Sequence, residues 1–584
     1  MRYRPSVKYA ANPLLASKTP VWRSKFIVAA IAVGFVVLAG RAAYVQVFDN
    51  AFFQRQGKVR YVRTFELPGL RGRILDRNGL LLASSVVAPS VWAIPEDVDR
   101  DDPQVRAKLR LMAKLLGINM RDLDKKLKNQ NKTFIWISRE VDEPIARKVA
   151  ALNIQGIYQT KEYKRQYPDG ESVAHVVGFT SIEDNGQEGI ELAFDKALAG
   201  KPGMQRVIKD RLGHAVESVG ETVPPLDGQD IQLSIDSKIQ FFAYQTVREA
   251  VITNKAKAGS VIVVDAQTGE VLALANYPSF NPNNRSEFNK GQLRNHALTD
   301  AFEPGSTMKP VTIASALQLG RITPQTVIDT SPGRLSVSGR TIHDDSNFGV
   351  LTVQGVVQKS SNVGATKISQ RMKPQEMWNF YNALGFGQRP QITFPGVVGG
   401  VVHPWKRWRP IEQATMSYGY GLSASLLQIA HAYTAFAHDG QVLPLTLLKA
   451  NGPVLGVQVF SPKVAAEVRQ MLHMAAAPGG TAPLARTVGY SVGGKTGTAH
   501  AQVGKGYASN AYRAWYTGMS PIDKPRIVVS VMINEPRAGR YFGGEVAAPV
   551  FSTVVQETLR MLNVSPDLAV TSQIVSAPAV QESF

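Results

Sequence analysis

The sequence predicts a mixed α/β (α+β) fold, a central sheet covered by helices, standing behind an N-terminal region of its own and a membrane-spanning helix. Three observations predict it. A basic leader without acidic residues runs into a long apolar stretch from Phe26. Segments that alternate or run apolar as strands do recur from Ile231 onwards. Between them, Val311, Ile313, Ala314 and Leu317 follow the turn Pro304-Gly305 with helical periodicity.

The leader, residues 1–25, carries Arg2, Arg4, Lys8, Lys18, Arg23 and Lys25. Phe26 to Gly40 is an unbroken apolar run of 15 residues, short for a span by itself and also suited to a signal-peptide core. Past Arg41 the run continues to Phe48, and Arg41 can snorkel or face a partner helix. No small-x-small cleavage site lies free of Arg41, and Tyr44 and Phe48 suit an interfacial belt, so a retained anchor over 26–48 is expected. The positive-inside rule then puts the leader in the cytoplasm and the bulk of the chain in the periplasm.

Arg71-Gly-Arg-Ile-Leu-Asp76-Arg77-Asn78-Gly79 reads as a charged hairpin turned at Asn-Gly. Residues 101–127 are expected to be helix-rich, and Arg165-Gln-Tyr167-Pro168 and Gly186-Gln-Glu188-Gly189-Ile-Glu191 turn-like. Pro224-Pro225-Leu-Asp-Gly228 reads as a linker, so 49–225 and 226–564 are taken as two domains. In the second, Ile231–Asp236, Ser260–Asp265, Glu270–Ala275 and Ile527–Ile533 are expected strands. Residues 565–584, rich in Ser, Pro, Ala and Gln, are expected to be a disordered tail.

Ser306-Thr-Met-Lys309 is the sole Ser-x-x-Lys of the 584 residues. On a helix, residues three apart share a face, so a lysine amine there can reach the serine hydroxyl and activate it. Pro310 is tolerated only near a helix start, which places Ser306 in the first turn with its amide free. Ser360-Ser-Asn362 follows 54 residues after Ser306, and Lys495-Thr496-Gly497-Thr498 follows 189 residues after it. Each triplet alone has a bland reading, and Ser-x-Asn also occurs at Ser279-Phe-Asn281. The ordered set resembles the serine penicillin-recognising enzymes. The motifs between about 60 and 220 resemble the N-terminal module of class B penicillin-binding proteins, and with them the resemblance covers nearly residues 20–560.

That resemblance implies a transpeptidase domain with a central antiparallel sheet, carried on an elongated pedestal or dimerisation-type domain. It also implies roles. Ser306 would be the nucleophile and Lys309 its base, neutral through burial and the nearby charge of Lys495. Ser360 would relay a proton to the leaving amine, and Asn362 would hold Lys309 and the substrate amide. The amides of Ser306 and Thr498 would form the oxyanion hole. Thr496 and Thr498 would bind the substrate carboxylate, and Gly497 would let the substrate backbone lie against the strand. Tyr420, Tyr541 and Phe542 would form an aromatic wall, or else are core aromatics. His500 stands where many division-type relatives carry a basic residue, which puts a second carboxylate contact in doubt.

The expected reaction is peptidoglycan D,D-transpeptidation. Stem peptides ending in D-Ala-D-Ala would be cross-linked through a serine acyl-enzyme, in septal synthesis, with inhibition by β-lactams. An elongation-type transpeptidase or a membrane-anchored β-lactam sensor are the alternatives. The implied partners are a SEDS-family glycosyltransferase and other divisome proteins. A class A β-lactamase would need Glu-x-x-x-Asn before the third triplet. Glu376, Glu412 and Glu467 are instead followed, four residues on, by Phe380, Met416 and Met471. The formal charge of +20 is dispersed, without a nucleic-acid-binding motif, and suits a membrane face or an anionic lipid-linked substrate. There is no cysteine, and the nine histidines show no metal-ligand spacing, so neither metal nor cofactor is expected.

Overall fold

The computed structural model describes residues 20–48, 62–128, 132, 134–209, 215–218, 222–452, 454–503 and 506–569. Most of the basic leader and residues 570–584 of the expected tail lie outside these. Residues 565–569 are not loose. The Ser491 amide donates to Asp567 Oδ1 at 2.8 Å and the Leu568 amide to the Gly489 carbonyl at 3.1 Å.

The expected anchor is a helix, Val21–Ala43, continued by a π-turn over Tyr44–Phe48. It is long and apolar enough to cross a membrane, and none of its side chains is buried. It starts five residues before Phe26, because Val21, Trp22 and the aliphatic part of Arg23 and Lys25 continue the helical run.

By its contacts the chain divides into two compact units: Met1–Gly69 with Lys201–Leu226, and Leu70–Gly200 with Asp227–Phe584. Residues 70–200 thus fall with the second unit, where the sequence predicts one domain over 49–225. The first unit contains an antiparallel three-stranded sheet, Val62–Leu67 against Gly203–Lys209 against Ala215–Ser218. In the second unit, residues 70–200 are not a detached domain: the Tyr167 amide donates to Asn283 Oδ1 at 2.9 Å, and Gln240 Nε2 donates to the Ser172 carbonyl at 2.7 Å. Glu191 sits fully buried between two guanidiniums, Arg71 and Arg165, each 2.7 Å from one of its carboxylate oxygens. Arg165 also donates to the Gly72 carbonyl at 2.8 Å. Arg165 lies in a strand, Tyr163–Gln166, rather than a turn, since Ser84–Val87 offers it a ladder. The Asp76–Gly79 hairpin docks on the catalytic body. Asp76 accepts from the Ser237 amide and hydroxyl (3.2 and 3.0 Å), and Arg77 pairs with Glu270 at 3.3 Å.

The central sheet has five antiparallel strands: β1 (Ala258–Asp265), β2 (Val271–Tyr277), β3 (Gly493–Val503), β4 (Gly506–Ser520) and β5 (Ile527–Asn534). Their order is β2-β1-β5-β4-β3, which makes β3 an edge. Alternate side chains go to opposite faces. Val261, Val263, Val529 and Val531 join a core with helices α1 (Ser237–Thr253) and α7 (Ala548–Met561). Ile262, Val264, Val528 and Met532 join the larger core under α2 (Lys309–Gln318), α5 (Leu426–Ala437) and α6 (Pro462–Ala476). Both faces are covered, so β1 and β5 are buried throughout and read as apolar runs. Two short helices, α3 (Val353–Lys359) and α4 (Asn362–Ser369), meet at Ser360-Ser361.

The expected strand Ile231–Asp236 is not part of this sheet. Ile231–Gln232 pairs in parallel with Ile74–Leu75, and Leu233 makes an isolated bridge to Leu448. Asp236, still extended, caps α1, accepting from the Lys238 amide at 3.1 Å while its own amide donates to the Leu272 carbonyl at 2.9 Å.

Replacing Glu191 with Ala leaves the buried Arg165 guanidinium without a carboxylate and Arg71 with Asp195 alone, at 2.8 Å. The expected cost is about 3–5 kcal/mol, read as a large loss of melting temperature or of folded full-length protein in detergent.

Candidate active site

The Ser-x-x-Lys serine lies on a single 3₁₀ turn, Gly305–Met308, that feeds directly into α2 at Lys309. Residues three apart eclipse each other on such a turn, so Ser306 and Lys309 still share a face. Pro310 occupies the first turn of α2, where no amide is needed. The Thr307 hydroxyl donates to the Pro304 carbonyl (2.9 Å), and Tyr433 OH donates to the Thr307 carbonyl (2.9 Å). The turn that carries Ser306 is thereby fixed from both sides.

Lys309 is fully buried. Its amine donates to the Ser360 hydroxyl at 3.0 Å and, more closely, to the Ser360 carbonyl. Burial pulls its pKa down from 10.5 to about 7, against the opposing pull of Asp344 and Asp345. Lys495, also fully buried, is held well below the ordinary lysine value, by burial first and then by repulsion from Lys309. The two amines therefore share one dry site in which both protonated forms are disfavoured together. The Lys495 amine is tied to the Thr496 hydroxyl (3.1 Å) and carbonyl (3.2 Å).

Ser360 adopts the left-handed conformation, φ 60°, ψ 37°, as the C-cap of α3. That conformation is sparsely populated by residues other than glycine and concentrates at functional sites. It turns the serine carbonyl and hydroxyl together onto Lys309. Ser361 caps α4, accepting from the Gly364 amide at 2.8 Å. Asn362 departs from expectation. Its Nδ2 donates to the His343 carbonyl at 2.9 Å, and it makes no bond to Lys309, whose amine Ser360 already occupies.

Strand β3 brings the third triplet alongside. A Cβ built on Gly497 would fall 2.6 Å from the Pro304 carbonyl oxygen and 3.0 Å from Thr307 Cγ2. Glycine is thus required for the strand to pack on the turn that carries Ser306. A Cβ on Gly305 would sit 3.4–3.6 Å from Thr498 backbone atoms, so the start of the turn faces Thr498. As an edge strand, β3 leaves one rank of amides and carbonyls outside the ladder. Thr496 Oγ1 donates to Thr481 Oγ1 (3.1 Å), and Thr498 Oγ1 accepts from the Gly543 amide (3.1 Å).

The three aromatics gather round Thr498. Tyr420 OH lies 3.4 Å from its carbonyl. Tyr541 stacks on Tyr512 (4.1 Å, 15°) and touches Phe542 (4.5 Å), which is half exposed and precedes Gly543. His500 packs on Tyr512 at 4.7 Å. Residues that the sequence did not single out complete the arrangement. Asp344 accepts from Ser361 Oγ (2.6 Å) and the Val363 amide (3.0 Å), and also from the Asn362 amide, bracing the Ser360–Asn362 junction. A lone His-Asp-Asp 17 residues before that junction gives no local signal of such a role. Among the described residues no group of three metal-ligating side chains gathers.

Residues 259–556 match the family described as the penicillin binding protein transpeptidase domain, and residues 66–233 the penicillin-binding protein dimerisation domain. The chain is 41% identical over 579 residues to the probable peptidoglycan D,D-transpeptidase PenA of Neisseria gonorrhoeae, covering 99% of both. It is 38% identical over 555 residues to the peptidoglycan D,D-transpeptidase FtsI of Escherichia coli K12, covering 94% of this chain and 93% of that one. The solved TP domain of penicillin-binding protein 3 from Burkholderia pseudomallei is 54% identical, with a TM-score of 0.54 over 58% of this chain and 98% of its own.

Replacing Gly497 with Ala should push β3 off the turn that carries Ser306. We expect an overpacking loss of about 1–3 kcal/mol, seen as a lowered melting temperature together with slower labelling by a fluorescent penicillin.

Proposed function

The chain belongs to the penicillin-binding proteins that join a dimerisation domain to a transpeptidase domain, and from that membership we propose that it cross-links peptidoglycan stem peptides as a serine D,D-transpeptidase through Ser306. The observation that carries this reading is the Lys309 amine, buried and held on both oxygens of Ser360 beside the serine turn. A neutral amine has two hydrogens and one lone pair. Ser360 takes the two hydrogens, which leaves the lone pair for the Ser306 proton.

In this account Ser306 Oγ attacks the carbonyl of the penultimate D-alanine as Lys309 takes its proton. The developing oxyanion is received by the amides of Ser306 and Thr498. As the tetrahedral intermediate collapses, the proton passes by way of Ser360 to the departing D-alanine amine, leaving an acyl-enzyme. The amine of a second stem peptide then attacks, the proton route runs in reverse, and the new peptide bond releases Ser306. Lys495 and the Thr496 and Thr498 hydroxyls receive the terminal carboxylate. Asn362, anchored through Nδ2 to His343, offers Oδ1 to a substrate amide. Tyr420, Tyr541 and Phe542 line the approach. A β-lactam enters by the same attack, but its leaving group stays tethered by the opened ring and blocks the place of the acceptor.

The helix Val21–Ala43 supports a single-pass anchor in the inner membrane, with the basic leader in the cytoplasm and the catalytic body in the periplasm. We assign the activity to septal wall synthesis, with a SEDS-family glycosyltransferase and other divisome proteins as partners. Arg41, which lies over the Tyr44 ring at 5.5 Å, is a candidate contact within the anchor.

Ser306→Ala should fold normally yet lose covalent labelling by fluorescent penicillin, and persistent labelling at the wild-type rate would remove the assignment. The pH dependence has a fixed sign. Lys309 must be neutral to act and its pKa is about 7. Acylation should therefore be half-maximal near pH 7, flat above it, and fall about tenfold per unit below it. Stopped-flow acylation between pH 5 and 9 measures this.

A further inference from the structure

Two amides can share one oxygen only if the segments that carry them are held at a fixed spacing. A buried carboxylate outside the three triplets lies where that spacing is set. Glu303, three residues before Ser306, is 5% exposed and accepts from the Gly421 amide through Oε1 at 2.9 Å. Backbone bonds join the same two segments on either side of it. Phe302 and Ala424 exchange amide–carbonyl bonds of 3.0 and 2.9 Å, and the Gly305 amide donates to the Gly419 carbonyl at 3.2 Å. The approach is so close that a Cβ on Gly419, at φ +87°, would fall 2.0 Å from the Gly305 carbonyl oxygen. Tyr420, bracketed by Gly419 and Gly421, reaches away from this seam to the Thr498 carbonyl at 3.4 Å. A continuous path thus runs from the nucleophile turn through Glu303, Gly421 and Tyr420 to β3.

We propose that Glu303 is a positioning residue for the acyl transfer: by holding Gly421 it fixes Tyr420, and through Tyr420 it sets the gap between the Ser306 and Thr498 amides. The proposal rests on the reading of those two amides given above. A carboxylate is a costly group to bury, and its charge so near a developing oxyanion opposes the reaction unless it is offset. Arg513 on β4 supplies the offset. Its guanidinium is buried, lies 3.7 Å from the centre of the Phe302 ring, and belongs to the residue paired with Ala499 in the ladder. Burial pulls its pKa down, against the opposing pull of Glu535, Asp300 and Glu303. The same carboxylate adds to the burial that raises the Tyr420 hydroxyl.

The test uses the full chain in detergent. Peptide mapping of the wild type after penicillin treatment is the control. Acylation at a residue other than Ser306 would remove the underlying reading, whatever the variants do. With Ser306 acylated, Glu303→Ala should slow acylation about 10- to 100-fold, less than the 10²- to 10³-fold seen when an oxyanion donor is removed outright. Affinity for a boronic acid, whose tetrahedral anion uses the same two amides, should fall by a similar factor. Both are read well below the melting temperature of each variant, where a purely structural residue would change neither. Glu303→Gln keeps an oxygen for the Gly421 amide and should restore both to within about threefold of wild type. If Glu303→Ala does not fold, Glu303→Asp, one methylene too short to reach Gly421, carries the same expectation. Wild-type acylation and boronate affinity in the Ala or Asp variant would overturn the proposal, and so would a Gln variant as slow as Ala.

Discussion

The site is organised around an amine kept away from water. Lys309 reaches the Ser360 carbonyl and hydroxyl with no solvent exposure, and a buried ammonium is costly unless it is paired or neutral. Asp344 and Asp345 are near enough to favour the charged form, yet burial outweighs them. Much of the surrounding structure serves that balance. The left-handed Ser360 presents both oxygens to one side, Ser361 and Asp344 hold the junction that makes the conformation possible, and Lys495 adds a second buried amine that disfavours a charge on Lys309. The strain at Ser360 is the local cost of placing a carbonyl where a helix would otherwise have consumed it.

The second constraint is close approach. Gly497 against Pro304, Gly419 against Gly305 and Gly543 against the Trp515 carbonyl each leave no room for a Cβ. These contacts draw an edge strand, a 3₁₀ turn and the 419–424 segment into one wall. The helices beneath it are apolar and fully packed, so the wall rests on a core with little freedom to shift. Reactive geometry here comes from backbone held by glycine and by a few buried polar anchors. The reacting side chains are then carried on a scaffold already in place.

Legibility in the sequence followed the range of the interactions. The Ser306–Lys309 pair, the Ser360–Asn362 junction and the strand carrying Lys495 were readable because each is a local pattern with a chemical reason. Strands β1 and β5 were readable because both faces are buried and the runs are continuously apolar. The strand expected over Ile231–Asp236 misled, since alternation there reflects a two-residue pairing and a helix cap. Arg165 read as a turn because its proline neighbour is local, while its strand partner Ser85 lies 80 residues away. Asn362 was given to Lys309 on the strength of resemblance, and the geometry hands that bond to Ser360. Asp344, Thr481 and Glu303 were invisible for one reason: each acts across a fold that no window of sequence spans.

The account stands on the protonation state of one side chain. Lysine labelled with ¹³C at the ε-methylene reports it directly, with the Lys309 signal assigned by its loss in Lys309→Met. A signal that titrates near pH 7 in the folded, unacylated protein is the predicted result. A midpoint at the ordinary lysine value of 10.5 would leave Ser306 without a neutral base and contradict the mechanism.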